Sequence, residues 1–189
     1  SKLELVPQPE AFQGQLREYQ QRGVAWMEYL EQLGFNGCLA DDMGLGKTVQ
    51  VIARLLRERE KNRSVGPTLL IAPTSVVGNW MVEMRRFAPE MKAMLHHSAQ
   101  RERDPETFAQ QVSSHDVVIT SYGLIRQDQA LWKGIQWARV VVDEAQNIRN
   151  PKAAQTKAIA ELNARHRLAL TGTPVENGTM DLWSQMNFV

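Results

Sequence analysis

Short apolar runs rich in β-branched residues recur along the chain, at Gly37 to Ala40, Thr68 to Ala72, Asp116 to Thr120, Arg139 to Val142 and Leu168 to Leu170, and each predicts a strand. Val117, Val118 and Ile119, like Val140, Val141 and Val142, are apolar at every position rather than at alternate ones. That pattern belongs to strands covered on both faces, as in a parallel sheet. A further strand is expected within Met91 to His97, with the doublet His96 and His97 at its end. Between the strands the period changes. Thr48 to Arg63 sets Val49, Ile52, Ala53, Leu55 and Leu56 on one side and Arg54, Arg57, Glu58 and Lys61 on the other, an amphipathic helix. Ser75 to Phe87, Asp104 to Val112, Pro151 to Leu162 and Met180 to Phe188 also read as helices, the third with Asn150 as its cap and Pro151 in its first turn. The charged stretch Arg57 to Arg63 reads as a helix end running into a solvated loop. Alternation of β and α throughout, with no internal repeat, predicts an α/β layered fold.

A chain of 189 residues, 43% hydrophobic, is enough for one core and one domain. A net charge of +1 gives no global basic excess, so any nucleic-acid contact has to come from a local patch. Cys38 is the single cysteine, which excludes an internal disulfide and a multi-thiolate metal site and points to a reducing compartment. No stretch has the length and apolarity of a secretory signal or a membrane span, so the protein is expected to be soluble and intracellular. The chain starts without Met and stops at Asn187, Phe188 and Val189 inside a helical pattern, and is therefore expected to be part of a longer polypeptide.

Candidate chemistry enters at Asp41 to Thr48. Asp42, Met43, Gly44, Leu45, Gly46, Lys47 and Thr48 follow a predicted strand and open a predicted helix, the setting of a phosphate-binding P-loop. Gly44 and Gly46 allow a tight turn whose N–H groups face phosphate oxygens, at the positive end of a helix. Lys47 then reaches the β- and γ-phosphates, and the Thr48 hydroxyl is a ligand for magnesium. Asp41 stands where the full pattern has its first glycine, and a glycine-rich turn with an exposed lysine is the competing reading. Asp143 and Glu144 end the apolar run Val140 to Val142, where parallel sheets bind ligands. Asp143 is expected to hold magnesium and Glu144 to act on the attacking water. Capping of the following turn is the simpler alternative.

Taken together these segments resemble the amino-terminal RecA-like lobe of superfamily 2 helicase-type motors, and within them the Swi/Snf family, from about Leu16 to Val189. The resemblance implies a RecA-like P-loop NTPase fold, a three-layer sandwich around a mainly parallel sheet, with residues 1–15 as an extension. It implies ATP as the nucleotide, its adenine edge read by Gln20 in the segment Leu16 to Trp26; a plain surface helix residue is the alternative for Gln20. The segment Leu70 to Trp80 is similar to a family motif on the DNA-tracking face, and Val118 to Gly123 to another. Pro73, Thr74, Ser75, Thr120, Ser121 and Tyr122 are thereby implied in holding a duplex DNA backbone without reading sequence. Helix capping is the alternative for the four hydroxyl residues Thr74, Ser75, Thr120 and Ser121, and Trp80 fits the core better than a stacking platform. Thr171, Gly172 and Thr173 resemble the coupling motif, in the T-G-T-P form that favours this branch over RNA helicases. Gln146, implied in the same coupling contact, stands where many relatives carry His, in a motif that reads Asp-Glu-Ala-Gln. The resemblance implies a second RecA-like lobe carrying arginine fingers, expected beyond Val189. The lobe is thus expected to bind nucleotide weakly and hydrolyse it slowly, with DNA stimulation small or missing. The functions in competition are a duplex DNA translocase lobe, a nucleotide-binding module without motor activity, an RNA helicase lobe and, least fitting, a P-loop kinase.

Overall fold

The computed structural model describes residues 4–40, 46–148, 150 and 153–172. Its strands are β1 (Gly37–Ala40), β2 (Thr68–Ala72), β3 (Ala93–Leu95), β4 (Val117–Ser121), β5 (Trp137–Val142) and β6 (Ala164–Thr171). They form one six-stranded sheet in the order β1-β6-β5-β2-β4-β3. Every pairing is parallel. β1 and β2 have the bounds that the apolar runs predict; β5 and β6 begin earlier, because Trp137 and Ala164 already pair across the sheet.

The helices are α1 (Glu18–Gln32), α2 (Lys47–Lys61), α3 (Val77–Phe87), α4 (Pro105–Ser113), α5 (Tyr122–Gln127), α6 (Gln129–Trp132) and α7 (Ala154–Ala160). Val24 and Met27 of α1, Ile52 and Leu55 of α2, and Trp80 and Met84 of α3 pack on one face of the sheet with Leu70, Ile119, Val141 and Leu170. Phe108, Ile125, Leu131 and Ile159, from α4 to α7, pack on the other face with Leu69, Ile71, Val140 and Val142. This is the expected three-layer α/β sandwich. Successive residues of one strand serve opposite cores, which is why its apolar run has no gaps. Each fully buried Leu, Ile or Phe contributes about 1.5–3 kcal/mol. The residues before α1 join the first core: Phe12 is buried and stacks on Phe87 with ring centroids 5.4 Å apart.

Three expectations change. α3 starts at Val77 rather than Ser75, and α7 at Ala154 behind Ala153, so Asn150 does not cap it. The helix expected over Met180 to Phe188 lies outside the described residues. The charged face of α2 is not uniformly solvated. Arg54 donates to Glu31 Oε2 at 2.5 Å and Arg57 to Glu28 Oε1 at 2.5 Å, so these arginines clamp α2 to α1. Arg139 of β5, with 2% of its side chain exposed, pairs with Glu31 and with Glu58 Oε1, the latter at 3.1 Å. Arg59 reaches the Asp116 carbonyl at 2.8 Å. Only Glu60 to Arg63 are exposed as expected. Because α1 buries Glu28 and Gln20 beside Val24 and Met27, its apolar period is broken in sequence. His96, at the end of β3, is buried and bonds Asp128 Oδ2 at 2.8 Å, which Arg101 also engages at 2.7 Å. No described helix is long and apolar enough to cross a membrane.

Burial works to raise the Glu31 carboxyl, but Arg139 and Arg54 outweigh it and hold the group below the ordinary glutamate value. Its folded-state pKa is thus depressed, so this stabilisation is complete above the ordinary range and disappears as pH falls through the folded pKa. Arg139→Leu leaves Glu31 and Glu58 buried without their shared cation. Urea unfolding at neutral pH is expected to show a loss of about 3–5 kcal/mol, shrinking as the medium is acidified.

Candidate functional site

In an all-parallel sheet every strand ends on the same edge, and there the predicted motifs gather. β6 lies between β1 and β5, with Thr171 beside Ala40 and Ala169 beside Val142. The Ala40 end of β1, the Thr171 to Gly172 end of β6 and the Asp143 to Glu144 end of β5 are therefore neighbours.

α2 begins at Lys47, directly after Gly46, whose φ is +124°. A Cβ on Gly46 would lie 2.6 Å from Gln20 Nε2 and 3.2 Å from Tyr19 Oη, so conformation and space both require glycine. Gln20, in the first turn of α1, is 8% exposed; its Oε1 accepts from Arg17 N at 2.8 Å, while Nε2 faces Gly46. Lys47 is buried and Thr48 half-buried. A Cβ on Gly172 would meet Lys47 Nζ at 3.6 Å and Glu144 Oε2 at 3.8 Å. One point thus touches the lysine, the acidic motif and the end of β6. Asp42, Met43, Gly44 and Leu45, with Thr173, lie outside the described residues. Thr171 is buried at the end of β6.

Asp143 is held on several sides. Its Oδ2 accepts from Trp80 Nε1 at 2.7 Å, its Oδ1 from Glu144 N at 2.9 Å, its own N–H donates to the Ile71 carbonyl at 2.8 Å, and the Tyr122 hydroxyl donates to its carbonyl. Burial raises its carboxyl pKa, against the Trp80 hydrogen bond and Lys47. Glu144 has φ +53°, the only positive φ of a non-glycine among the described residues. A left-handed glutamate costs of the order of 1–3 kcal/mol and is a mark of functional sites. Its Oε2 accepts from Gln146 Nε2 at 2.5 Å, in a short 3₁₀ turn, Ala145–Asn147.

The residues expected to face nucleic acid divide. Thr74 and Ser75 are exposed at the end of β2, next to half-buried Pro73. Thr120 and Ser121 are 0% and 2% exposed, and the Thr120 hydroxyl donates to the His96 carbonyl at 2.8 Å. Tyr122 turns its hydroxyl inward to Asp143, and its pKa is raised by burial and by Asp143 and Glu144. The Thr120 and Tyr122 hydroxyls are thus engaged inside the protein, with Ser121 buried between them. No side-chain cap forms at α3 or α5. Trp80 is a core residue as expected; its N–H on Asp143 is legible in the sequence only in that a buried indole N–H needs an acceptor.

The donor set is one cation, hydroxyls and two carboxylates. Among the described residues no three His, Cys, Asp or Glu side chains converge. Thr48 and Asp143 suit a hard cation that takes most of its ligands from phosphate and water, as magnesium does. Gly46→Ala is expected to push Gln20 aside and to cost roughly 1–3 kcal/mol in urea unfolding, with the displacement visible in the Gln20 side-chain amide signals by NMR.

Known proteins resemble this chain in sequence and in fold. The model of the SNF2-related domain matches residues 19–189. The putative ATP-dependent helicase/translocase YwqA of Bacillus subtilis is 45% identical over 179 residues, covering 95% of this chain and 19% of that protein. The human chromatin-remodeling ATPase INO80 is 38% identical over 191 residues, covering 97% of this chain and 12% of that protein. The Sulfolobus solfataricus SWI2/SNF2 ATPase core, solved in complex with dsDNA, matches with a TM-score of 0.84 and 40% identity, over 98% of this chain and 38% of that one. The chain therefore spans less than a fifth of these curated relatives. A parallel sheet with this motif set at one edge, and a family match over nearly its whole length, make the chain a member of the SNF2-related domain family.

Proposed function

We propose that residues 16–189 are the first, ATP-binding lobe of a motor that hydrolyses ATP to move along double-stranded DNA and remodel or displace proteins bound there. The observation that carries this reading is the convergence at Gly172, where Lys47 Nζ and the Glu144 carboxylate come within 3.6 and 3.8 Å of the point that a Cβ would occupy. A phosphate-binding lysine, a base and a strand end able to register both are the parts an ATPase lobe contributes.

In this reading the Gly46 N–H and the Lys47 ammonium bind phosphate oxygens, with the α2 dipole in support. Thr48 and Asp143 would hold magnesium, which when bound neutralises charge on the β- and γ-phosphates. Glu144 accepts a proton from the water whose oxygen bonds the γ-phosphorus as the bond to the ADP oxygen breaks; Gln146 orients that carboxylate. Gln20 reads the adenine edge from its place over Gly46. Pro73, Thr74 and Ser75 hold the DNA backbone, and Thr171, Gly172 and Thr173 couple the γ-phosphate to motion. The arginine fingers and the rest of the DNA track come from a second RecA-like lobe. Such fingers are worth about 10³–10⁵ in rate, so the 189-residue chain alone binds weakly and turns over slowly.

The test joins this lobe to a second one and measures ATP turnover with duplex DNA, single-stranded DNA or duplex RNA. Stimulation by duplex DNA above the others is expected; equal rates with and without duplex DNA would sink the translocase reading, and preference for duplex RNA would favour a helicase lobe. Lys47→Ala is expected to abolish nucleotide binding measured by calorimetry. Glu144→Gln is expected to keep binding while lowering turnover by about 10²–10⁴.

A further inference from the structure

Three tryptophans are fully buried among the described residues, and their indole N–H groups have different fates. Trp132 donates to the Leu124 carbonyl at 3.0 Å, an ordinary structural use. Trp137 Nε1 has no partner among the described residues. Trp80, 2% exposed, donates to Asp143 Oδ2 at 2.7 Å across 63 residues of sequence. Packing on the sheet could be met by any large apolar side chain; the N–H on a carboxylate could not.

The setting of that bond has mechanical consequences. Asp143 Oδ1 is already tied to Glu144 N at 2.9 Å, so the indole on Oδ2 completes the fixing of the carboxylate plane. The backbone of Asp143 is anchored at the Ile71 carbonyl and by Tyr122. Without Trp80 the carboxylate keeps only the Glu144 N–H on Oδ1, and Oδ2 loses the bond that sets the carboxylate plane. Outer partners that orient a ligating carboxylate typically account for about 10–100-fold in metal affinity or activity. α3 itself is rigidly seated, with Val77, Trp80 and Met84 all in the core.

We propose that Trp80 is a positioning residue for the metal site: its indole N–H orients Asp143 Oδ2, so that magnesium affinity of the nucleotide-bound protein depends on that hydrogen bond. The inference rests on the reading of Asp143 as the magnesium-side carboxylate. Trp80 touches neither nucleotide nor water in this role and acts only through Asp143.

The experiment compares the 189-residue chain with Trp80→Phe, which keeps an aromatic ring and removes the donor. Binding of a non-hydrolysable ATP analogue is titrated by calorimetry at zero magnesium and over a magnesium series. In Trp80→Phe the half-saturating magnesium concentration is expected to rise about 10-fold or more, with magnesium-free affinity within about twofold of the parent chain. A loss equal with and without magnesium marks a merely structural effect and overturns the proposal, as does an unchanged magnesium dependence. A parent chain that binds the analogue with no magnesium dependence overturns this proposal and the site reading together, so the two failures are told apart. Should Trp80→Phe fail to fold, the assigned Trp80 indole N–H signal of the parent chain decides by NMR. It is expected to shift when magnesium is added to the nucleotide-bound protein, and an unmoved signal overturns the proposal.

Discussion

The insertion of β6 between β1 and β5 is the constraint on which the site depends. Parallel ladders set neighbouring strands about 4.8 Å apart, and the register places Thr171 beside Ala40 and Ala169 beside Val142. Three segments far apart in sequence thereby end side by side on one edge. Lys47 at the start of α2, Glu144 after β5 and Gly172 after β6 meet because of it. A sheet with β1 next to β2 would keep every motif and lose the convergence.

A second layer of interactions aims what the sheet brings together. Arg54 and Arg57 hold α1 to α2 through Glu28 and Glu31, and α1 carries Gln20 over Gly46. Arg139 ties the same pair of helices, through Glu31 and Glu58, to β5, the strand that delivers Asp143. Burying such charges is costly, and replacing them by apolar groups is often neutral for stability. Their effect here is directional, since guanidinium forks engage carboxylates in few geometries and so fix how the helices sit.

Asp143 is where the remaining segments join. The helix after exposed Thr74 and Ser75 reaches its carboxylate through Trp80, and the segment after β4 reaches its carbonyl through Tyr122. The polar residues at the ends of β2 and β4 therefore have unlike roles. Those of β2 remain at the surface, while Thr120 and Ser121 are buried and the Thr120 and Tyr122 hydroxyls bond inward.

The amino-acid order is enough for the layered α/β class, because an uninterrupted apolar run such as Val140 to Val142 is tolerated only in a strand covered on both faces. It also determined the Gly46-Lys47-Thr48 turn, where a local backbone requirement is written in local residues, and the family, through the order of its motifs. The tertiary structure alone decided strand order, the inward turn of Thr120, Ser121 and Tyr122, the clamp made by Arg54, Arg57 and Arg139, and the acceptor of the Trp80 N–H. Hydrophobic period reports whether a position is buried. It carries no information on which distant polar group completes a hydrogen bond there, since that partner is set by long-range packing and the same side chain would be equally satisfied by water.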